Sequence, residues 1–306
     1  MTDSTRTRAP VQMGVPDEVR AALSRRGYEL DGSEFLTRRP DRLTVGVRTS
    51  AGMPAVAKLY PAGGGAGASL NMRALWESSF GEQRDPPGLA RPIEYIDDAD
   101  VLVMEHLGGR PLVELDHQAE EAFRNSVELL AALHGCKAGV SSLPRTAPRI
   151  VKSLRRKQAR IAELAPEYGA RYRAAVDAVE AARPIDRELV CSHGDFSPRN
   201  VLAGRARYAL IDWDRLKPAD PARDVAHYGA WCWLRALHGS GTCDWSALSR
   251  FVAAYESLRP GAALRERLDF HLAAALLRMV ASRVELWREE SYLIPQLIEE
   301  AARRAR

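Results

Sequence analysis

Two polar motifs joined by a short apolar hairpin constrain this 306-residue chain more than any other feature. The first motif is Cys-Ser-His-Gly-Asp-Phe-Ser-Pro-Arg-Asn at 191–200, and the second is Asp-Trp-Asp at 212–214. The apolar residues at 201–202 and 208–211 are typical of short strands, and Gly204 suits a turn between them. The sequence therefore predicts a small hairpin that joins the two motifs.

This hairpin would place Asn200 and Asp212 side by side, with Asp195 on the loop that enters it. One carboxylate and one amide oxygen suit Mg²⁺, which prefers hard oxygen ligands, keeps several waters and takes further ligands from substrate phosphates. Asp195 precedes Asn200 by five residues, so it is free to accept a proton from an incoming hydroxyl. The layout is that of phosphoryl transfer, in which a catalytic-loop Asp and Asn are followed by a metal-binding Asp.

The two motifs together resemble those of the aminoglycoside phosphotransferase and choline kinase group of small-molecule kinases. That group carries His-Gly-Asp where protein kinases carry His-Arg-Asp, and Ile-Asp where they carry Asp-Phe-Gly. The resemblance implies an α+β, two-lobe protein-kinase-like fold with a small β-rich N-terminal lobe and a larger helical C-terminal lobe. It extends over about residues 30 to 290 and is densest at 190–224.

The sequence divides into three predicted parts, a tail and two lobes. Residues 1–15 are polar, lack the apolar region of a signal peptide, and are interpreted as a disordered tail. Residues 16–107 form the expected nucleotide-binding lobe, and residues 108–306 form the expected catalytic and substrate lobe. Within the first lobe, strands are predicted at 34–37, 43–48, 55–60, 91–96 and 101–104.

Lys58 lies inside the apolar strand at 55–60, and the resemblance makes it the lysine that reaches the nucleotide phosphates. Its acidic partner would lie on the helix predicted at 69–80, where Glu77 is the only acid. The family spacing points instead to Asn71. Both alternatives stay open, and Glu77 is slightly favoured.

Met-Glu-His-Leu at 104–107 resembles the hinge between kinase lobes. By that resemblance, the backbone of Glu105 and Leu107 would hydrogen-bond the adenine of ATP. The expected phosphate-covering loop at 38–42 has no glycine, which weighs against a protein kinase. The Gly-rich segment at 61–67 lacks the Gly-Lys-Ser/Thr ending of a P-loop and is interpreted as a flexible linker.

Composition argues against several other classes. A net charge of +4 implies no strong nucleic-acid field, and the basic stretch at 149–160 is interpreted as a solvated helix face. The four cysteines show no metal-type spacing, which favours a reduced, cytoplasmic setting. No run of 18 apolar residues exists, so no membrane span is expected.

Residues around the motifs receive supporting roles. His193 is expected to fix the loop by hydrogen bonding, and Asp224 to brace it. Asp214 is either a second metal ligand or a neighbour of the substrate. By the resemblance, acids on the C-terminal helices would line a pocket for cationic substrates, with four candidates: Asp269, Glu285, Glu289 and Glu290.

The predicted reaction is ATP- and Mg²⁺-dependent phosphorylation of a hydroxyl on a small molecule, with Asp195 as catalytic residue and Asn200 and Asp212 as metal ligands. The first expectation for the acceptor is an aminoglycoside or related antibiotic, which would make the protein a resistance enzyme. The alternatives are a kinase of choline, an amino alcohol or a sugar, and a catalytically silent binding protein with the same fold. The sequence does not determine the oligomeric state.

Overall fold

The computed structural model describes residues 14–39, 42–61, 63–241 and 243–306, with side chains described except at 33–42 and 240. The predicted tail at 1–15 therefore lies outside the described residues up to position 13, as do the side chains of the predicted phosphate loop at 38–42. The chain divides into two compact units. The first comprises the chain up to Ser69 together with Arg91–His106, and the second comprises Leu70–Ala90 and Leu107–Arg306.

The first unit is built on an antiparallel sheet of strand order β1-β2-β3-β5-β4. One face of this sheet is covered by helix α1, which buries Val19, Ala22 and Leu23. The bounds of these elements are α1 Asp17–Arg25, β1 Glu29–Arg39, β2 Arg42–Arg48, β3 Pro54–Leu59, β4 Pro92–Ile96 and β5 Val101–Glu105.

Strand β1 begins five residues before its predicted start at 34. Its first residues, Glu-Leu-Asp-Gly-Ser, do not alternate between apolar and polar, so periodicity alone misses them. They are held by pairing with β2, in a register that shifts between Leu30 and Phe35. The extra strand length is therefore a product of pairing.

Helix α2 runs from Gly65 to Trp76, whereas the sequence predicts a helix at 69–80. The last three residues of the predicted linker are thus helical, and that part of the prediction is wrong. Gly65 is required by close packing, because a Cβ there would lie 2.9 Å from Cδ2 of Tyr60. At the other end, Ser78 Oγ donates to the carbonyl of Leu75 at 2.7 Å and closes the last turn.

The second unit is mainly helical around α8, whose segment 271–277 is buried throughout. The sequence His-Leu-Ala-Ala-Ala-Leu-Leu explains this, because small and apolar residues on all sides allow α4, α6 and α9 to pack against it. The helices are α3 Glu120–Gly135, α4 Ala147–Leu164, α5 Pro166–Ala181, α6 Ala222–Ser240, α7 Ser246–Leu258, α8 Arg265–Glu285 and α9 Ile294–Arg304.

Two small antiparallel pairings position the polar motifs. The strands are β6 Arg110–Pro111, β7 Val190–Ser192, β8 Val201–Ala203, β9 Tyr208–Leu210 and β10 Lys217–Ala219. β8 and β9 pair with Val201 opposite Leu210, which confirms the predicted hairpin. β7 pairs with β10, so the loop at 193–200 runs from one pairing to the other. Among helices in the described ranges, none is long and apolar enough to cross a membrane.

Candidate active site

Gly194 sets the geometry of the loop that follows β7. Its φ of +80° is a backbone conformation that residues with a Cβ rarely adopt. A Cβ there would also lie 2.5 Å from the carbonyl oxygen of Arg215 and 2.7 Å from Nη1 of Arg223. Glycine is therefore required between His193 and Asp195, which explains the middle residue of the first motif.

Asp224, near the start of α6, braces this loop. Its Oδ2 accepts from the backbone N–H of His193 at 2.8 Å, and its Oδ1 accepts from that of Gly194 at 2.7 Å. His134 Nε2 lies 3.0 Å from Oδ2. Burial alone would raise the pKa of Asp224, but the hydrogen bond and charge of His134 and the charge of Arg223 hold it well below its usual range. The predicted bracing role of Asp224 is confirmed.

His193 completes the fixation of the loop. Its Nε2 lies 2.9 Å from the carbonyl oxygen of Ile211, which can only accept, so Nε2 donates. Its Nδ1 then accepts the backbone N–H of Asp195 at 3.3 Å. The predicted role of His193 in holding the loop by hydrogen bonds is confirmed.

The carboxylate of Asp195 is buried, with only 6% of the residue exposed. Oδ1 lies 2.8 Å from Nε2 of His227, and Oδ2 lies 3.4 Å from Nη2 of Arg199. Burial would raise the pKa of Asp195, but the close contact with His227 and the charges of Arg215 and Arg199 hold it well below its ordinary value. Asp195 is therefore ionised and can accept a proton or a hydrogen bond.

His227 is a functional residue that the sequence analysis missed. Arg278 Nη2 lies 3.1 Å from Nδ1 of His227, and a guanidinium only donates, so the ring proton must reside on Nε2. Burial lowers the pKa of His227 to about 4, although the close contact with Asp195 and its charge oppose this effect. A neutral imidazole therefore places its Nε2 2.8 Å from Oδ1 of Asp195, a close polar contact that does not meet hydrogen-bond geometry. Its position in the sequence could have indicated it. His227 follows Asp224 by three residues, and residues three apart lie on the same face of a helix.

Asn200 and Asp212 lie at the same end of the hairpin. The backbone N–H of Ile211 donates to the carbonyl of Asn200 at 3.0 Å, one step beyond the β8–β9 pairing. Asn200 Nδ2 donates to the carbonyl of Asp195 at 2.8 Å, so its amide oxygen points away from that bond. Asp212 has a φ of +65°, a conformation unusual for a residue with a side chain and concentrated at functional sites.

This donor set fits Mg²⁺, since one amide oxygen and one carboxylate leave room for water and phosphate oxygens. Within the described ranges, no three or more His, Cys, Asp or Glu side chains group as a metal site. The arrangement suits an ion that arrives with a phosphorylated ligand.

The residues expected to bind nucleotide fall in both units. Lys58 lies on β3 of the first unit with 7% exposed, and its Nζ is 5.6 Å from the ring centroid of Tyr60. Glu105 ends β5, and its backbone N–H donates to the carbonyl of Arg91 at 2.9 Å. An adenine contact at Glu105 would therefore use its carbonyl oxygen. Leu107 is the first residue of the second unit after the hinge segment.

Asn71 and Glu77, the two alternatives for the partner of Lys58, differ in their surroundings. Asn71 is buried, its Nδ2 donates to Ser142 Oγ at 2.9 Å, and its Oδ1 accepts from the backbone N–H of Ser141 at 3.2 Å. Both ends of its amide are thus used within the second unit. Glu77 is exposed and directly follows the end of α2.

Three of the four acids proposed to line a cationic-substrate pocket form ion pairs inside the second unit. These pairs are Asp269 with Arg304 at 2.8 Å, Glu285 with Lys157 at 3.7 Å and Glu290 with Arg283 at 2.7 Å. The fourth acid, Glu289, is exposed. Three of these four carboxylates are therefore already engaged by a base of the same unit.

A family model described as the phosphotransferase enzyme family matches residues 41–270 of the chain. No curated protein matches the chain.

Solved structures of several kinases are similar. A thermostable mutant of the aminoglycoside phosphotransferase APH(4)-Ia, in ternary complex with AMP-PNP and hygromycin B, is 15% identical, covers 94% of this chain and 99% of its own, and has a TM-score of 0.68. A putative fructosamine-3-kinase from Thermobifida fusca is 18% identical over 95% and 99%, with a TM-score of 0.62. An aminoglycoside-3'-phosphotransferase of type VIII is 24% identical over 84% and 96%, with a TM-score of 0.57. At these identities the likeness shows the fold alone, and the predicted α+β kinase-like fold is confirmed.

Proposed function

The chain belongs to the phosphotransferase enzyme family, and within it we propose that the protein transfers a phosphoryl group from ATP to a hydroxyl of a small molecule, with Mg²⁺. The observation that carries this proposal is the state of Asp195. It is an ionised, buried carboxylate on a loop fixed by glycine and by Asp224, with Asn200 hydrogen-bonded to its backbone.

Asp195 would orient the acceptor hydroxyl and take its proton, with His227 holding the carboxylate in place. In a loose transition state this positioning is a large part of catalysis. Asn200 and Asp212 would hold Mg²⁺, which when bound offsets the negative charge of the phosphates. Asp214 would be a second ligand or a substrate neighbour.

We assign nucleotide binding to the lobe at 16–107 and catalysis to the lobe at 108–306. Lys58 would bind the nucleotide phosphates, and the backbone of Glu105 and Leu107 would bind adenine. Glu77 is proposed as the partner of Lys58. The hydrogen bonds that occupy both ends of the Asn71 amide favour this choice over Asn71.

The sequence predicts two alternative classes of acceptor. An aminoglycoside, with antibiotic resistance as the role, remains a prediction. The ion pairs made by three of the four candidate acids favour the second alternative, a small alcohol that is not polycationic. A cytoplasmic location also remains a prediction.

The test is a coupled ADP-release assay with ATP, Mg²⁺ and a panel of aminoglycosides, choline, amino alcohols, sugars and hydroxy acids. Asp195→Ala should lower kcat by about 100- to 10,000-fold, the usual contribution of a general base. Asp177→Asn, which removes an exposed carboxylate of α5, should leave kcat unchanged. Full turnover by Asp195→Ala with any accepted substrate would refute the proposed mechanism.

A further inference from the structure

The second unit contains a cavity whose polar lining is basic. It is a small cavity that opens to solvent, and the space free of protein atoms in and in front of it is about 280 Å³. Three arginines and a histidine supply its polar groups, and the described lining residues include no carboxylate: Arg145, Arg223, Arg278, His271, Ile150, Leu154, Ala274 and Ala275. We call this the arginine cavity.

The hydrogen bonds of these guanidinium groups go to neutral partners. Arg223 donates to Ser192 Oγ at 2.9 Å and to the carbonyl of Gly194 at 3.3 Å. Arg278 donates to His227 Nδ1 at 3.1 Å and lies 3.5 Å from the same carbonyl of Gly194. Toward the rest of the described chain, the Arg145 side chain makes neither a hydrogen bond nor an ion pair. The cavity therefore gathers positive charge that no carboxylate balances through an ion pair.

Arg267 provides an internal contrast. This arginine, on the same helix α8 as Arg278, is buried and forms an ion pair with Asp220. Burial without an anionic partner is costly for a charged group, so buried charges are normally paired. The fold thus pairs the guanidinium of Arg267, which does not line the cavity, and leaves Arg145, Arg223 and Arg278 without an ion pair among the described residues.

The electrostatic consequence is mutual repulsion. Burial lowers the pKa of Arg223 to about 10; Asp224 and Asp195 oppose this, and the charges of Arg145 and Arg215 add to it. Burial lowers the pKa of Arg278 to about 9, with further lowering by Arg223 and Arg215 and an opposing effect of Asp195. A bound anion would relieve both the burial and the repulsion.

His271 is a second, independent indication of a ligand. It is 3% exposed and lines the arginine cavity, and its Nε2 has no hydrogen-bond partner among the described residues. Asp220 Oδ1, at 3.9 Å, is too distant for a hydrogen bond. Buried polar atoms are nearly always satisfied, so an unpaired buried ring nitrogen on a residue that lines a cavity points to a partner that comes from outside the described chain.

We propose that the arginine cavity binds an anionic group of the acceptor, a carboxylate or a phosphate, and that the acceptor is therefore an anionic hydroxyl compound. This inference rests on the proposed phosphotransferase function. Arg223 and Arg278 both lie against the carbonyl of Gly194, the residue directly before Asp195. An anion held there stands beside the catalytic loop, whereas a polycationic aminoglycoside would be repelled by the same charges.

Calorimetric titration with inorganic phosphate tests the site without any turnover. Arg145→Gln should weaken phosphate binding by at least about tenfold, the loss expected for one hydrogen bond to a charged group. Arg145→Lys should retain part of the affinity. Lys152→Gln is the matched control, since it removes one exposed charge from α4, whose residues Ile150 and Leu154 line the cavity. The titration is repeated in Lys58→Met, so that phosphate bound at the nucleotide site is recognised.

Equal phosphate affinity in wild type, Arg145→Gln and Lys152→Gln would overturn the proposal, as would the absence of phosphate binding. Thermal unfolding of each variant confirms that it is folded.

Turnover with matched acceptors tests the link to catalysis. The pairs are glycerol with glycerate, and ribose with ribose 5-phosphate, and kanamycin represents the polycations. The anionic member should be the better substrate, and Arg145→Gln should raise its KM by about tenfold while leaving the KM of the neutral member unchanged. Kanamycin turnover that Arg145→Gln does not alter would overturn the proposal.

The two hypotheses fail in different ways. Turnover that depends on Asp195, without phosphate binding that depends on Arg145, keeps the phosphotransferase and overturns the anion site. Phosphate binding that depends on Arg145, with no turnover that depends on Asp195, supports the anion site and removes the proposed function.

Discussion

Two polar regions of the second unit differ in whether their charged side chains have partners of opposite polarity. Around Asp224, a carboxylate with no exposed surface meets donors from His134, His193 and Gly194. In the arginine cavity, Arg145 and its neighbours face no carboxylate among the described lining residues. The charge of Asp224 is met by hydrogen-bond donors, as a structural brace requires. The arginines of the cavity have no carboxylate among the lining residues to pair with. Buried charges without an ion pair indicate a ligand more strongly than paired ones do. Their burial is costly unless a bound group of opposite charge offsets it.

The largest effect should come from breaking the brace. Asp224→Ala leaves two backbone N–H groups and a histidine without their acceptor, and should lower the free energy of unfolding by about 3–5 kcal/mol. Urea denaturation followed by circular dichroism measures this. Asp177→Asn is the control for loss of an exposed carboxylate. A loss below about 1 kcal/mol would show that the loop does not depend on Asp224.

The next effect links the two regions through His227, which lies between Asp195 and Arg278. His227→Leu removes a polar contact with a charged group and should lower kcat by about 10- to 100-fold. Because that contact lowers the pKa of Asp195, its loss should also move the acid limb of the kcat–pH profile to higher pH.

His227→Gln, which keeps an N–H donor, should restore most of both properties. If Leu and Gln variants behave alike, the imidazole acts only through packing.

A third effect concerns acid pH. Burial lowers the pKa of both His227 and His271 from 6.5 to about 4. Between those values the unfolded chain binds protons that the native protein does not, so stability falls as the pH falls from 6.5 towards 4. Each histidine contributes up to about 1.4 kcal/mol per pH unit.

Urea denaturation at pH 7, 6 and 5 measures the slope. His271→Gln should be less sensitive to pH than the wild type by the contribution of one histidine. An identical slope in the two proteins would contradict the assigned state of His271.

The smallest expected change in stability distinguishes most clearly between the region around Asp224 and the arginine cavity. Arg145→Gln removes a partly buried charge that repels its neighbours and has no ion pair among the described residues, so the free energy of unfolding of this variant should stay within about 1 kcal/mol of the wild type or rise. Denaturation without phosphate, and then with it, measures this. Phosphate should stabilise the wild type and Lys152→Gln but not Arg145→Gln. A loss comparable to that of Asp224→Ala would make Arg145 a structural residue.

Local patterns were enough to predict the centre of the site. Asp195, Asn200 and Asp212 lie within 18 residues of one another, and a hairpin is determined by its own strands and turn. The same applies to Gly194, whose backbone conformation only glycine readily adopts. The sequence also indicated the α+β kinase-like fold, because its two motifs occur at a separation specific to one group of enzymes.

Long-range packing decided the remainder. His227 and Arg278 meet Asp195 because α6 and α8 pack together, and Arg145 joins them from the segment before α4. Three of the four acids proposed for a cationic substrate form ion pairs with bases distant in the chain or on a neighbouring turn. Whether a charge is paired depends on which helices meet, and single-residue patterns do not encode this. The sequence by itself therefore determined which residues come together at the candidate site, and the tertiary structure decided the charge that surrounds it.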